Sequence, residues 1–168
     1  MTKPKIPTKP GTAFGGGYYA GRFFVGTQAY ALIVSPKAVG TIDPMPWAES
    51  TTNVAGATSY NDGLANTAAM VKAGSALAKK ITGLRIGGLN DWYLASRLEW
   101  LIAHYELSSA KAFQPGGKHA FDAAWYWSST QHAAHSVYAW MQRFGYGGQV
   151  SDRKSYDYRA RAVRRSVI

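Results

Sequence analysis

Tyr138-Ala139-Trp140-Met141-Gln142-Arg143-Phe144 decides the fold, together with Tyr126-Trp127-Ser128-Ser129-Thr130-Gln131 before it and Arg159-Ala160-Arg161-Ala162-Val163-Arg164-Arg165 after it. From Tyr138 the chain alternates between Tyr138, Trp140, Gln142, Phe144 and Ala139, Met141, Arg143, the period of two of a strand with two different faces. Gly145, Gly147 and Gly148 supply the positive-φ backbone that a reversal needs. Residues 159–165 alternate again, so the spacing predicts a terminal antiparallel meander. One of its faces is expected to hold the fold and the other to be open to an outside partner.

Working outward, 168 residues are enough for one domain, or one domain plus an arm, with a substantial core. The chain carries 19 Lys+Arg against 9 Asp+Glu, a formal net charge of +10, which favours acidic partners such as nucleic acid, phosphorylated glycans or anionic surfaces. It has no cysteine, which excludes a disulfide framework, a thiolate zinc site and a thiol nucleophile. No apolar run reaches the length of a membrane span, so no membrane insertion is expected. The N-terminal residues lack the apolar core of a secretory signal. Residues 1–17 alternate Lys, Pro, Thr and Gly and are expected to form an extended arm that docks on a neighbouring subunit, with the domain proper spanning residues 18–168.

Residues 18–25 and 29–34 read as a hairpin turning at Gly26-Thr27-Gln28 and stopped by Pro36. In the Pro- and Thr-rich connection that follows, Trp47 reads as a plug over the core. Asn61 or Asp62 caps a helix running to about Lys72, with Leu64, Ala68 and Val71 at helical spacing. Ser75 starts a shorter helix to about Ile81. Ser96-Arg97-Leu98-Glu99 is a capping box, and Leu98, Leu101, Ile102 and Tyr105 follow as an apolar stripe. Residues 108–121 read as a loop. Hairpin, helices, long loop and strands in that order predict an α+β fold with helices segregated from an antiparallel sheet.

Four ordered motifs then resemble one family. They are the Gly88-Leu89-Asn90-Asp91-Trp92-Tyr93-Leu94-Ala95-Ser96-Arg97-Leu98-Glu99 segment, Tyr126-Trp127-Ser128-Ser129-Thr130, the Ala139-Trp140-Met141-Gln142-Arg143-Phe144 strand, and Arg161-Ala162-Val163-Arg164. Together they resemble the domain at the C-terminus of the Legionella collagen-like adhesin. Phe14-Gly15-Gly16-Gly17-Tyr18 and Tyr30-Ala31-Leu32-Ile33-Val34 resemble phage and prophage members of the same family. The resemblance implies a C-type-lectin-like fold with N- and C-terminal strands paired, related to the variable proteins of diversity-generating retroelements. It also implies a structural framework of Asp91, Trp92, Ser96, Glu99, Trp127, Trp140, Phe144 and Arg161, with Arg161 expected to pair with Asp91 or Glu99. With Trp140, Gln142 and Phe144 on the framework side, Met141 and Arg143 are expected to face outward. Tyr138 shares the framework parity but sits at the strand's start, where a loop can turn it out. The candidate ligand face is His132, His135, Tyr138, Met141, Arg143, Tyr146 and Arg153.

The competing chemistries fit less well. Gln114-Pro115-Gly116 lacks the carboxylate that calcium-dependent lectins use, so a hard cation would miss a main ligand. His132 and His135 have zinc-compatible spacing but no third ligand nearby. Ser128-Ser129-Thr130 lies in no nucleophile elbow, and the formylglycine-generating enzymes of this broad fold need cysteines. No cofactor is expected. Arginines among aromatics also suit single-stranded nucleic acid, a minor alternative without a recognised module.

The resulting expectation is a non-enzymatic bacteriophage virion protein, a tail-associated receptor-binding or adhesin module. Its expected partners are other virion subunits through the arm, a host surface polysaccharide or protein, and further copies of itself. The alternative is a capsid decoration or baseplate joint.

Overall fold

The computed structural model describes residues 5–168. In chain order the strands are β1 (Ala13–Phe14), β2 (Gly17–Val25), β3 (Gln28–Val34), β4 (Thr41–Met45), β5 (Tyr93–Leu94), β6 (Trp125–Gln131), β7 (Tyr138–Arg143), β8 (Gln149–Arg153) and β9 (Tyr158–Val167). The helices are α1 (Lys37–Gly40), α2 (Gly63–Lys72), α3 (Ala76–Thr82) and α4 (Arg97–Leu107), with a 3-10 turn at Lys111–Phe113. The fold is α+β, and its sheet runs β1-β2-β3-β9-β6-β7-β8 with β4 and β5 also paired to β9.

β9 is the hub. It pairs antiparallel with β3, β4 and β5, and parallel with β6 at Tyr126 and Arg159. The expected pairing of terminal strands is therefore present, through the second strand of the N-terminal hairpin. The predicted terminal meander is corrected: β6, β7 and β8 form it, and β9 leaves it to pair inside the sheet. Strand β9 alternates as the sequence does, but its buried alanines and Val163 suit it to a central position.

Two apolar layers sandwich the sheet. Met70 of α2, and Leu77 and Ile81 of α3, pack with Trp47, Trp92, Trp127 and Met141 on one side. On the other, Trp100, Ala103 and Leu107 of α4 pack with Phe23, Leu32, Phe113 and Val163. Both helix starts are capped as the sequence predicts, α2 by Asp62 and α4 by the Ser96–Glu99 box. The helix faces are not as predicted. α2 buries Gly63, Asn66, Thr67 and Met70 and leaves Leu64 exposed. α4 buries Trp100, Ala103 and Leu107, while Tyr105 is 77% exposed. Two apolar stripes compete on α4, and the one carrying tryptophan removes more area from water. Ile102 still finds partial cover, because Gly21 lets α4 approach β2: a Cβ there would sit 2.7 Å from Ile102 Cγ2.

The N-terminal boundary also moves. Residues 1–4 of the expected arm lie outside the described residues. From Gly11 the chain belongs to the sheet edge: the Gly11 N–H donates to the Tyr19 carbonyl at 2.8 Å, and β1 pairs with β2. Trp47 is the plug the sequence predicts, fully buried and donating through Nε1 to the Ser128 carbonyl at 2.8 Å. The connection around it is pinned by a residue the sequence does not flag. Lys154 is fully buried, and its Nζ donates to Thr52 O at 2.9 Å and Gln131 Oε1 at 2.6 Å, with the Trp47 ring 4.7 Å away. Burial lowers its pKa to about 8.

Candidate functional site

The framework residues come first, because they determine which charges remain free. Glu99 is completely buried and its Oε2 accepts from the Ser96 N–H at 2.7 Å and the Gly63 N–H at 3.1 Å. Its Oε1 accepts from the Tyr93 hydroxyl. Burial raises the pKa of both Glu99 and Tyr93, the hydrogen bonds opposing the rise for Glu99. Trp92 and Trp127 are buried, and their indole N–H groups donate to Leu89 O and Met45 O. Phe144 stacks on Phe121 with centroids 3.5 Å apart and meets Trp100 edge-on.

Arg161 does not pair with either expected carboxylate. Its Nε and Nη2 donate to Ser35 O, its Nη1 to His119 O, and it lies over Phe121. Burial lowers its pKa to about 10. Glu99 is already taken by Gly63, Ser96 and Tyr93, and for Asp91 the reason is strand parity: residues 160, 162 and 164 share one face of β9, and 161 and 163 share the other. Asp91 lies on the first face and takes Arg164 in a bidentate pair at 2.8 and 2.7 Å. That contact holds the Asp91 carboxyl below its ordinary value. Arg165 is likewise committed, to Asp62 at 2.9 Å. The basic run of β9 therefore serves the fold.

The expected ligand face divides in two. Met141 is 2% exposed and belongs to the core beneath α2 and α3, which corrects its assignment to the outer face. The parity was read correctly but its sense was inverted at this end of β7, because Ala139 and Met141 are the residues facing the core. Arg143 lies on Met141's side but past the core's edge, 5.7 Å from the Trp125 and Tyr146 rings, and donates to Ala123 O. Tyr138 is about 16 Å away along the strand and on the opposite face.

On that opposite face α4 covers the Phe144 end and leaves the Tyr138 end open. Trp140, expected as framework, is only half-buried there. Its ring lies parallel to His132 within 10°, with centroids 5.3 Å apart. His135 is 5.0 Å from His132 and meets Tyr138 edge-on. Arg153 is cross-strand from Tyr138 and exposed. The His132 Nδ1 accepts from the Ala134 and His135 N–H groups, so in the neutral ring the proton sits on Nε2. Among the described residues no group of three or more metal-ligating side chains occurs.

Two residues at this site were missed by sequence reasoning. The Arg97 guanidinium lies 3.6 Å over Trp140 and 5.4 Å from the Tyr60 ring, and its Nε donates to Gln149 Oε1 at 3.0 Å. Gln149 in turn donates to Arg97 O and Gln142 Oε1. A signal was present: Arg97 opens α4, where the helix dipole disfavours a cation, so a basic residue there requires another reason. Tyr60 carried no such signal.

Apart from this face, a concavity of about 680 Å³ lies between α4 and the 113–123 segment, lined by Leu107, Phe113, Phe121 and Phe144. The charges on its rim, Lys37 and Asp122, are paired with each other.

Residues 41–164, from the start of β4 into β9, match the family model of the Lcl C-terminal domain. The chain belongs to the Lcl C-terminal domain family. No curated protein matches it. The Lcl match includes β4 to β8 and both layers of helices, and the β2–β3 hairpin that precedes it completes the sheet. In this Lcl domain the open aromatic and cationic face lies wholly within the matched region, whereas the N-terminal segment lies outside it.

Proposed function

We propose that this chain is a non-catalytic, adhesin-like binding module of a bacteriophage particle, and that it holds its ligand on the open end of the β6–β7–β8 face. The observation that carries the reading is the surface cluster of Trp140, Tyr138, His132, His135, Arg97 and Arg153. None of these basic groups has a carboxylate partner among the described residues. Aromatic rings and unpaired cations together suit stacking on sugars and pairing with anionic groups.

Membership of the adhesin-like Lcl family supports a binding role. The likeness of residues 14–18 and 30–34 to phage members supports the particle, with attachment to other virion subunits through the N-terminal residues and assembly with further copies. A non-catalytic role is supported by the state of the hydroxyls. Ser128 Oγ donates to Trp140 O and accepts from the Thr130 N–H, while Thr130 Oγ1 donates to Ser59 O.

The test is competition for adsorption. Excess purified domain should block adsorption of the phage to host cells, and His132→Ala/Tyr138→Ala/Arg153→Ala should fail to block while melting within a few degrees of the native protein. A folded triple variant that competes as well as the native domain would move the reading to a capsid or baseplate joint.

A further inference from the structure

We propose that Arg97 is the anion-recognising residue of this face and that the face takes a pyranose bearing a carboxylate, an inference that rests on the adhesin reading above.

The arginines of β9 that bind within the fold are largely occupied. Arg161 has three hydrogen bonds to carbonyls, Arg164 holds Asp91 and Gly15 O, and Arg165 holds Asp62 over the Tyr30 ring. Arg97 is different. It is half-buried and fixed on three sides, by Gln149 at Nε, by the Trp140 ring and by Tyr60. Yet no carboxylate among the described residues lies within ion-pair distance of it.

Its terminal nitrogens, Nη1 and Nη2, have no acceptor among the described residues. Ser35 Oγ and Thr41 Oγ1 are the side-chain polar atoms left buried without a partner there, so the Arg97 pair must reach solvent. Burial lowers the pKa of the group, and the start of α4 disfavours its charge. The fold thus maintains a partly desolvated, oriented guanidinium with its terminal fork unoccupied.

That geometry suits an oxyanion ligand. A guanidinium whose carbon lies 3.6 Å from the indole centroid, with Nε already bonded, presents Nη1 and Nη2 as a two-pronged donor, which matches the two oxygens of a carboxylate. Tyr60 lies 5.4 Å from it, and His132 and Tyr138 continue the aromatic surface beyond Trp140 and offer faces for the C–H surface of a sugar ring. Lysine would supply the charge without the fork.

The experiment is calorimetric titration of the full chain with tetragalacturonate, with its fully methyl-esterified counterpart, which keeps the rings and removes the charge, and with a dextran sulfate fragment. The acid should bind the native protein at least tenfold more tightly than the ester. Arg97→Gln should make the two equal, and Arg97→Lys should keep only part of the preference. Should Arg97→Gln melt far below the native protein, Arg97→Lys and Gln149→Met, which removes the Nε acceptor, carry the same comparison.

Lack of binding by the native protein, an absent acid preference, or a preference that survives in Arg97→Gln would overturn the assignment. Equal binding of dextran sulfate to native protein and Arg97→Gln, without uronate binding, would show bulk charge attraction in its place. If His132→Ala/Tyr138→Ala/Arg153→Ala abolishes competition for adsorption while Arg97→Gln keeps the acid preference, the adhesin reading stands and the Arg97 assignment falls. If no variant changes adsorption, both fall.

Discussion

Replacing Glu99 by alanine tests the centre of the fold. The carboxylate is fully buried and accepts from three donors contributed by separate elements: the Gly63 N–H at the start of α2, the Ser96 N–H at the start of α4, and the Tyr93 hydroxyl of β5. The alanine variant strands all three. Each hydrogen bond to a charged acceptor contributes about 1.5–3 kcal/mol, and stranded donors keep their desolvation cost. Relief of the buried charge, whose pKa burial already raises, and entry of water offset part of the loss. The expected net destabilisation is about 3–5 kcal/mol, as for breaking other buried charged networks. At about 2–4 °C per kcal/mol for a domain of this size, the melting temperature should fall by roughly 6–20 °C. Ser96→Ala is the control. It removes the cap acceptor of the Glu99 N–H, at 3.4 Å, leaves the three donors to the carboxylate in place, and should cost about 1 kcal/mol. Urea unfolding of the two variants decides the matter. If Glu99→Ala costs no more than Ser96→Ala, Glu99 is only a capping residue, and the three-element junction contributes nothing to stability.

Lys154, with its pKa lowered from 10.5 to about 8, binds fewer protons folded than unfolded between those values, so stability should rise with pH across that window. The gain by pH 9.5 should be up to about 2 kcal/mol in urea unfolding, and a slope that persists unchanged in Lys154→Met would refute the assignment. Met141→Ala should destabilise the domain by about 2–5 kcal/mol by opening a core cavity. Tyr138→Ala, on the open face, should cost within about 1 kcal/mol, and equal losses for the two in thermal unfolding would contradict the sidedness of β7.

Local signals in the chain determined much of this protein. The Ser96–Glu99 capping box, the Asp62 and Ser75 caps, the Gly26 turn and the period-two runs place helix starts and strands where they are found, because each depends on neighbours within a few residues. The ordered motifs were sufficient for the family. Tertiary structure alone decided which side of each element faces inward. Alternation shows that β7 has two faces, but both carry large apolar residues, and only the helices packed above and below bury Met141 and leave Trp140 half-open. The same holds for α4, where Trp100 prevailed over the Leu98–Tyr105 stripe, and for β9, where parity brought Arg164 to Asp91 and sent Arg161 inward. The candidate site was legible in part. His132, His135, Tyr138 and Arg153 were named from the sequence, but Arg97 reaches the neighbouring Trp140 only because α4 starts beside β8, where it bonds Gln149 across 52 positions of chain that no local pattern encodes.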